Sequence, residues 1–153
     1  MKIIMQPIGQ VRGGRVEATN DHWGGNRSRI ELDAAQFTPD ALLGVDQLSH
    51  IEVFFYFHLA AGEPAETGAR HPRDRADWPR TGIIAQRGRM RPNRIGFTVC
   101  KVLSVDRLAI EVEGLDAVDG TPVLDIKPVW SGNNLRGELR EPAWARELMQ
   151  NYW

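Results

Sequence analysis

A chain of 153 residues with 42% apolar residues and a formal net charge of −1 is enough for one domain around one core, with no overall polarity that points to a highly charged partner. It contains no long apolar run and no small-residue cleavage site, so the expectation is a single domain over residues 1–153, in the cytoplasm, with no signal peptide and no membrane span. Cys100 is the only cysteine, which excludes an internal disulfide and a thiolate-cluster metal site and fits a small buried hydrophobe.

In chain order, "KIIMQPIGQV" and "SRIELD" read as strands, separated by the turn-rich "NDHWGGNRS". "TPDALLGVDQL" opens with Thr38 as a possible N-cap and Pro39 at the first helical position, which predicts a short helix. "HIEVFFYFHL" is apolar on both faces and predicts a central strand. Between Ala60 and Arg80 runs a proline-rich loop of a length usually reserved for functional segments, above about 12–15 residues. "TGIIAQR", "RIGFTVCKVLSVD", "RLAIEVEGLD" and "TPVLDIKPV" complete the strands. In the third of these, Leu108, Ile110 and Val112 share one face and Glu111 and Glu113 the other. The C-terminal "EPAWARELMQNYW" spaces Trp144, Leu148 and Tyr152 along one helical face that needs an apolar landing. The fold expected is mostly β: a small antiparallel barrel of about seven strands with one or two short helices.

Two stretches carry chemistry. "QRGRMRPNRIG" holds Arg87, Arg89, Arg91 and Arg94 with no acid among them, stiffened by Pro92 and opened by Gly88 and Gly96. Such a bend is either an anion site or a solvated charged turn. Eight arginines fall between Arg70 and Arg94 against two aspartates, so a basic patch is expected there. "LDAVDGTPVLDIKP" brackets a tight turn with Asp116 and Asp119, which either accept from ligand hydroxyls and amines or cap the turn. Dinucleotide and P-loop glycine fingerprints are missing, and His22, His50, His58 and His71 never take metal-ligand spacing, so no metal is expected.

Taken together, "LSHIEVFFYFH", "TGIIAQRGRMRPNRIGFTVCKVL" and "LDAVDGTPVLDIKP", in that order, resemble the TsaA/TrmO-type family of S-adenosylmethionine-dependent tRNA methyltransferases, from Ile8 to Val129. The resemblance implies a β-barrel methyltransferase that works as a homodimer, with S-adenosyl-L-methionine as cofactor, a tRNA substrate and N6 of a threonylcarbamoyl-modified adenosine as methyl acceptor. It carries cofactor binding onto His58, Leu59, Arg87, Phe97, Asp116, Ala117, Val118 and Asp119. Phe97 alternates with Val99 and is equally suited to the core. Where familiar members carry a Pro-Arg-Gln triplet, this chain has "NDHWGGNRS", in which Trp23 and Gly24 either complete the cofactor site or form a packed loop. Gln86 and Arg94 also depart from the family's threonine and second proline, and no counterpart of the longer members' C-terminal lobe is expected.

For a tRNA acceptor, Arg89, Arg91 and Arg94 would bind phosphates as substrate residues. Methyl transfer to an aromatic amine is an in-line displacement that positioning can drive, and a proton acceptor would help. His58 and Asp125 are candidates that nothing in the sequence places at the acceptor, so no catalytic residue is named. Two competing functions remain: a non-catalytic barrel that binds S-adenosylmethionine or RNA, and a methyltransferase acting on a small molecule.

Overall fold

The computed structural model describes residues 1–153. Eight strands form in chain order: β1 (Gly9–Arg12), β2 (Arg27–Leu32), β3 (His50–Tyr56), β4 (Ala69–Arg70), β5 (Thr81–Gly82), β6 (Ile95–Asp106), β7 (Ala109–Glu113) and β8 (Pro122–Pro128). Six of them close into an antiparallel barrel in the order β1-β2-β7-β6-β3-β8, and β1 returns to pair with β8. The two-residue strands β4 and β5 pair separately outside it. Closure needs bending, and the register shifts at Phe54/Phe55 and at Val102/Ser104 mark the bulges that provide it.

Alternation decides what fills the barrel. Ile51, Val53 and Phe55 of β3 point inward, as do Ile110 and Val112 of β7, and they meet Val11, Ile30 and Val123 in one buried cluster. Burying an aliphatic or aromatic side chain of this kind stabilises by about 1.5–3 kcal/mol. Cys100 lies in the same cluster, and its burial together with the negative charge of Asp116 pushes the thiol up to about 12. Glu111 and Glu113 face outward, paired with Arg29 and Arg27 of the neighbouring strand. Gly96 of β6 is buried because the Phe55 ring lies directly over it and leaves no space for a Cβ.

The mostly β barrel agrees with the sequence reading, and three elements differ from it. "TGIIAQR" is not a barrel strand: after Gly82 the chain enters a 3₁₀ turn, Ile83–Ala85, that buries Ile83 and exposes Ile84. "TPDALLGVDQL" forms two 3₁₀ turns, Pro39–Leu42 and Val45–Gln47, because Gly44 between them takes φ 85° and breaks the helix. Pro39 does start the first turn, but Thr38 makes no side-chain cap. Of "KIIMQPIGQV", the strand includes only Gly9 onward. The one α-helix, α1 (Ala143–Met149), follows β8. No helix of the structure is long and apolar enough to cross a membrane.

Candidate functional site

Where β3 ends and β6 begins, the barrel mouth opens into a cleft of about 1440 Å³. Its floor is apolar, with Phe55, Phe57 and Ala117, and its walls come from segments far apart in sequence. The arginine-bearing bend Gln86–Asn93 forms one wall and the turn Asp116–Val118 another, so the two chemistry-bearing stretches do face a common space.

Strand β6 joins them. Arg87 donates from Nη2 to the carbonyl of Phe97 at 2.9 Å and holds its guanidinium 5.7 Å from the Phe97 ring centre. One residue on, the inward-facing Thr98 hydroxyl donates to Asp116 Oδ1. Asp116 Oδ2 accepts from the hydroxyl of Tyr152, so the carboxylate is fixed at both oxygens. Burial first, and then the charge of Asp116 and the hydrogen bond to it, raise the Tyr152 phenol above its usual value and keep it a proton donor. Phe97 itself points outward on β6 and packs its ring 5.0 Å from that of Phe54. It lines the cleft with one side and covers the barrel with the other.

Of the residues expected to bind cofactor, Trp23, His58, Leu59, Arg87, Phe97, Asp116, Ala117 and Val118 line this cleft. Gly24 and Asp119 do not. Asp119 turns away to accept from the Gly13 N–H at 2.7 Å, while its own N–H donates to the Arg15 carbonyl, which makes it a brace for the β1–β2 loop. Gly24 instead lies against the backbone of Trp153. Trp23 is almost fully buried, with Arg15 stacked 4.6 Å from its ring and Nε1 donating to the Thr19 carbonyl, so its indole packs the loop more than it presents a face.

The basic patch is also changed by folding. Arg94, in the left-handed region at φ 49°, uses its guanidinium on the carbonyls of Ala60 and Glu63 and is absent from the cleft wall. Arg91 donates to the Gln86 carbonyl at 2.9 Å, whereas Arg89 reaches only Glu63, at 3.8 Å, and stays half exposed. In the proline-rich loop Arg70, Arg73 and Arg75 pair with Asp74, Asp21 and Asp77, and Arg80 donates to the Ala69 carbonyl. The arginines of the expected basic patch are therefore engaged by internal acids and carbonyls. That loop is packed rather than open: Trp78 is buried and Arg73 anchors it to the β1–β2 connection at 2.8 Å from Asp21.

Sequence reasoning missed the C-terminal contribution. Trp144, Leu148, Tyr152 and Trp153 line the same cleft, and Trp78 Nε1 donates to Glu147 Oε2 at 2.8 Å to seat α1 there. The stripe spacing signalled a landing site without revealing which one. Asp125, weighed as a proton acceptor, is exposed, binds the Ile126 N–H and lies outside the cleft.

Residues 20–133 match the family model of the tRNA-methyltransferase O N-terminal domain. A human tRNA (adenine(37)-N6)-methyltransferase is 34% identical over 111 residues, 72% of this chain and 25% of the relative. A probable S-adenosyl-L-methionine-binding protein of Methanothermobacter thermautotrophicus is 32% identical over 132 residues, 85% of this chain and 92% of the relative. The crystal structure of TrmO from Pseudomonas aeruginosa superposes with a TM-score of 0.73 at 28% identity, covering 92% of this chain and 62% of that one. The chain thus spans a quarter of the human relative's length and less than two thirds of the crystallised chain.

Proposed function

Because the chain belongs to the tRNA-methyltransferase O N-terminal domain family, we propose that it is an S-adenosyl-L-methionine-dependent methyltransferase acting on N6 of an adenosine in tRNA, threonylcarbamoyl-modified adenosine included. The observation that carries this reading is the convergence of the Arg87 bend and the Asp116 turn on one cleft through Phe97 and Thr98 of β6.

The donor set suits the cofactor. An adenosyl group needs an apolar slot beside a carboxylate that can accept from ribose hydroxyls, and its amino-acid end needs a cation for the carboxylate. Phe97, Ala117 and Val118 supply the first, Asp116 the second and Arg87 the third, with His58 and Leu59 on the facing rim. When bound there, S-adenosylmethionine supplies an electrophilic methyl group on a sulfonium. The chain's own part is positioning: Asp116 is held by Thr98 and Tyr152 at both carboxylate oxygens, beside the apolar floor of the cleft. Arg89 and, after release of its carbonyl, Arg91 would meet tRNA phosphates at the rim. We also propose a homodimer in the cytoplasm, to which the exposed Leu103 on β6 and Trp130 after β8 offer an apolar surface.

A second reading has one observation behind it. The internal engagement of nearly every arginine of the basic segment leaves little charge for RNA and favours a barrel that binds the cofactor without modifying tRNA. Incubation with methyl-labelled cofactor and unmethylated tRNA separates the two. Label in adenosine N6 supports the enzyme; calorimetric binding of cofactor with no label in RNA supports the second reading, and no binding at all refutes both.

A further inference from the structure

The chain beyond residue 133 lies outside the family match, yet it enters the cleft. Its docking has three parts. Glu147 of α1 accepts from the Trp78 indole, and the Trp144 and Trp78 rings stand 6.4 Å apart. The N–H groups of His22 and Trp23 donate to the carbonyls of Asn151 and Tyr152 at 2.9 and 2.7 Å, so two adjacent backbone hydrogen bonds tie the tail to the β1–β2 loop. Gly24 leaves the space for it: a Cβ there would stand 2.8 Å from the carbonyl carbon of Trp153.

What this docking delivers is one hydroxyl. The Tyr152 ring would pack as well without its oxygen, and that oxygen has a single partner, Asp116 Oδ2. A carboxylate offers about four lone-pair sites, so the donors from Thr98 and Tyr152 fix its plane and still leave about two sites for a ligand in the cleft that Asp116 lines.

We propose that Tyr152 is a positioning residue of the cofactor site: seated through Gly24, the C-terminal segment closes the cleft, and the Tyr152 hydroxyl orients the Asp116 carboxylate toward the ribose hydroxyls of the cofactor. This rests on the cofactor reading above. It also gives the His22-Trp23-Gly24 segment a role in receiving the tail.

The test is titration calorimetry with S-adenosylmethionine and S-adenosylhomocysteine on five proteins: the unaltered chain, Tyr152→Phe, Asp116→Ala, the double variant and Gly24→Ala, each checked by thermal melting. Tyr152→Phe is expected to weaken binding about tenfold, the scale of one hydrogen bond to a charged group. In the Asp116→Ala background the same change is expected to have no further effect, because the hydroxyl acts through that carboxylate. Gly24→Ala, whose own residue lies outside the cleft lining, is expected to reproduce the loss by displacing the tail. Unaltered affinity in Tyr152→Phe, or an equal loss with and without Asp116, overturns the proposal; should that variant not fold, unaltered affinity in Gly24→Ala overturns it instead. An unaltered chain that binds neither ligand overturns the cofactor reading and this proposal together, whereas binding weakened by Asp116→Ala but insensitive to Tyr152→Phe and Gly24→Ala overturns this proposal alone.

Discussion

Asp116 and Arg87 reach the cleft by different means, and their substitutions should behave differently. Arg87 is exposed and held by one carbonyl, so Arg87→Ala should leave the melting temperature unchanged and weaken cofactor binding several-fold, read by calorimetry. Buried neutral groups make a second residue-scale prediction. The folded state keeps the Cys100 thiol protonated up to about pH 12, while an unfolded chain releases that proton from about pH 9. Protons are then bound more tightly by the native state, so stability is constant below about pH 9 and declines as pH rises, by up to about 1.4 kcal/mol per pH unit for each such group. Tyr152, also raised, adds a second decline that begins near the ordinary tyrosine value of about 10. Denaturant titrations from pH 8 to 11 should show the first loss removed by Cys100→Val and the second by Tyr152→Phe. The turn by itself left Asp116 and Asp119 open between ligand contact and capping, and the family resemblance carried both into the site. That Asp119 instead braces the chain at Gly13 was not legible, because which of two carboxylates turns that way depends on a loop more than a hundred residues away.

At the scale of elements, barrel strands were readable wherever inward and outward positions alternated cleanly, as in β7, and misleading where apolar residues ran together. Ile83 and Ile84 look like strand residues; the turn instead buries one and exposes the other, since the pairing with the two-residue β4 ends at Gly82 and only the Ile83 N–H still reaches the Gly68 carbonyl. Gly44 likewise ends a helix that Pro39 begins, and its φ of 85° is not visible in the pattern of apolar residues. The contact between β3 and β6 yields a sharp prediction. Gly96 lies beneath the Phe55 ring, so Gly96→Ala should force that ring off its rotamer and destabilise the barrel by about 1–3 kcal/mol. A melting temperature lowered by several degrees checks it. An unchanged value would mean that the barrel end relaxes without loss of packing.

Across the whole molecule, the charge segregation of the sequence is only partly neutralised by folding, through Asp21 and Glu63 from outside the segment, while Arg80, Arg87, Arg91 and Arg94 donate to uncharged carbonyls. Arg89 is the least restrained of the bend, with only the 3.8 Å contact to Glu63. In filter-binding titrations of tRNA at several salt concentrations, Arg89→Ala should reduce the slope of log affinity against log salt by about one. Arg94→Ala should instead lower the melting temperature, because it removes donors that tie the Ala60–Glu63 carbonyls. The closure of the barrel bears on how the chain is made. The side chain of Gln10 on β1 binds the Gly120 carbonyl, 110 positions further along, beside the pairing of β1 with β8. At translation rates of 5–20 residues per second, that partner emerges roughly 5–20 s after the first strand. During that interval the nascent β1–β2 hairpin has an unsatisfied edge, which makes it a natural client for ribosome-associated chaperones and the point at which overexpression would send the polypeptide into inclusion bodies.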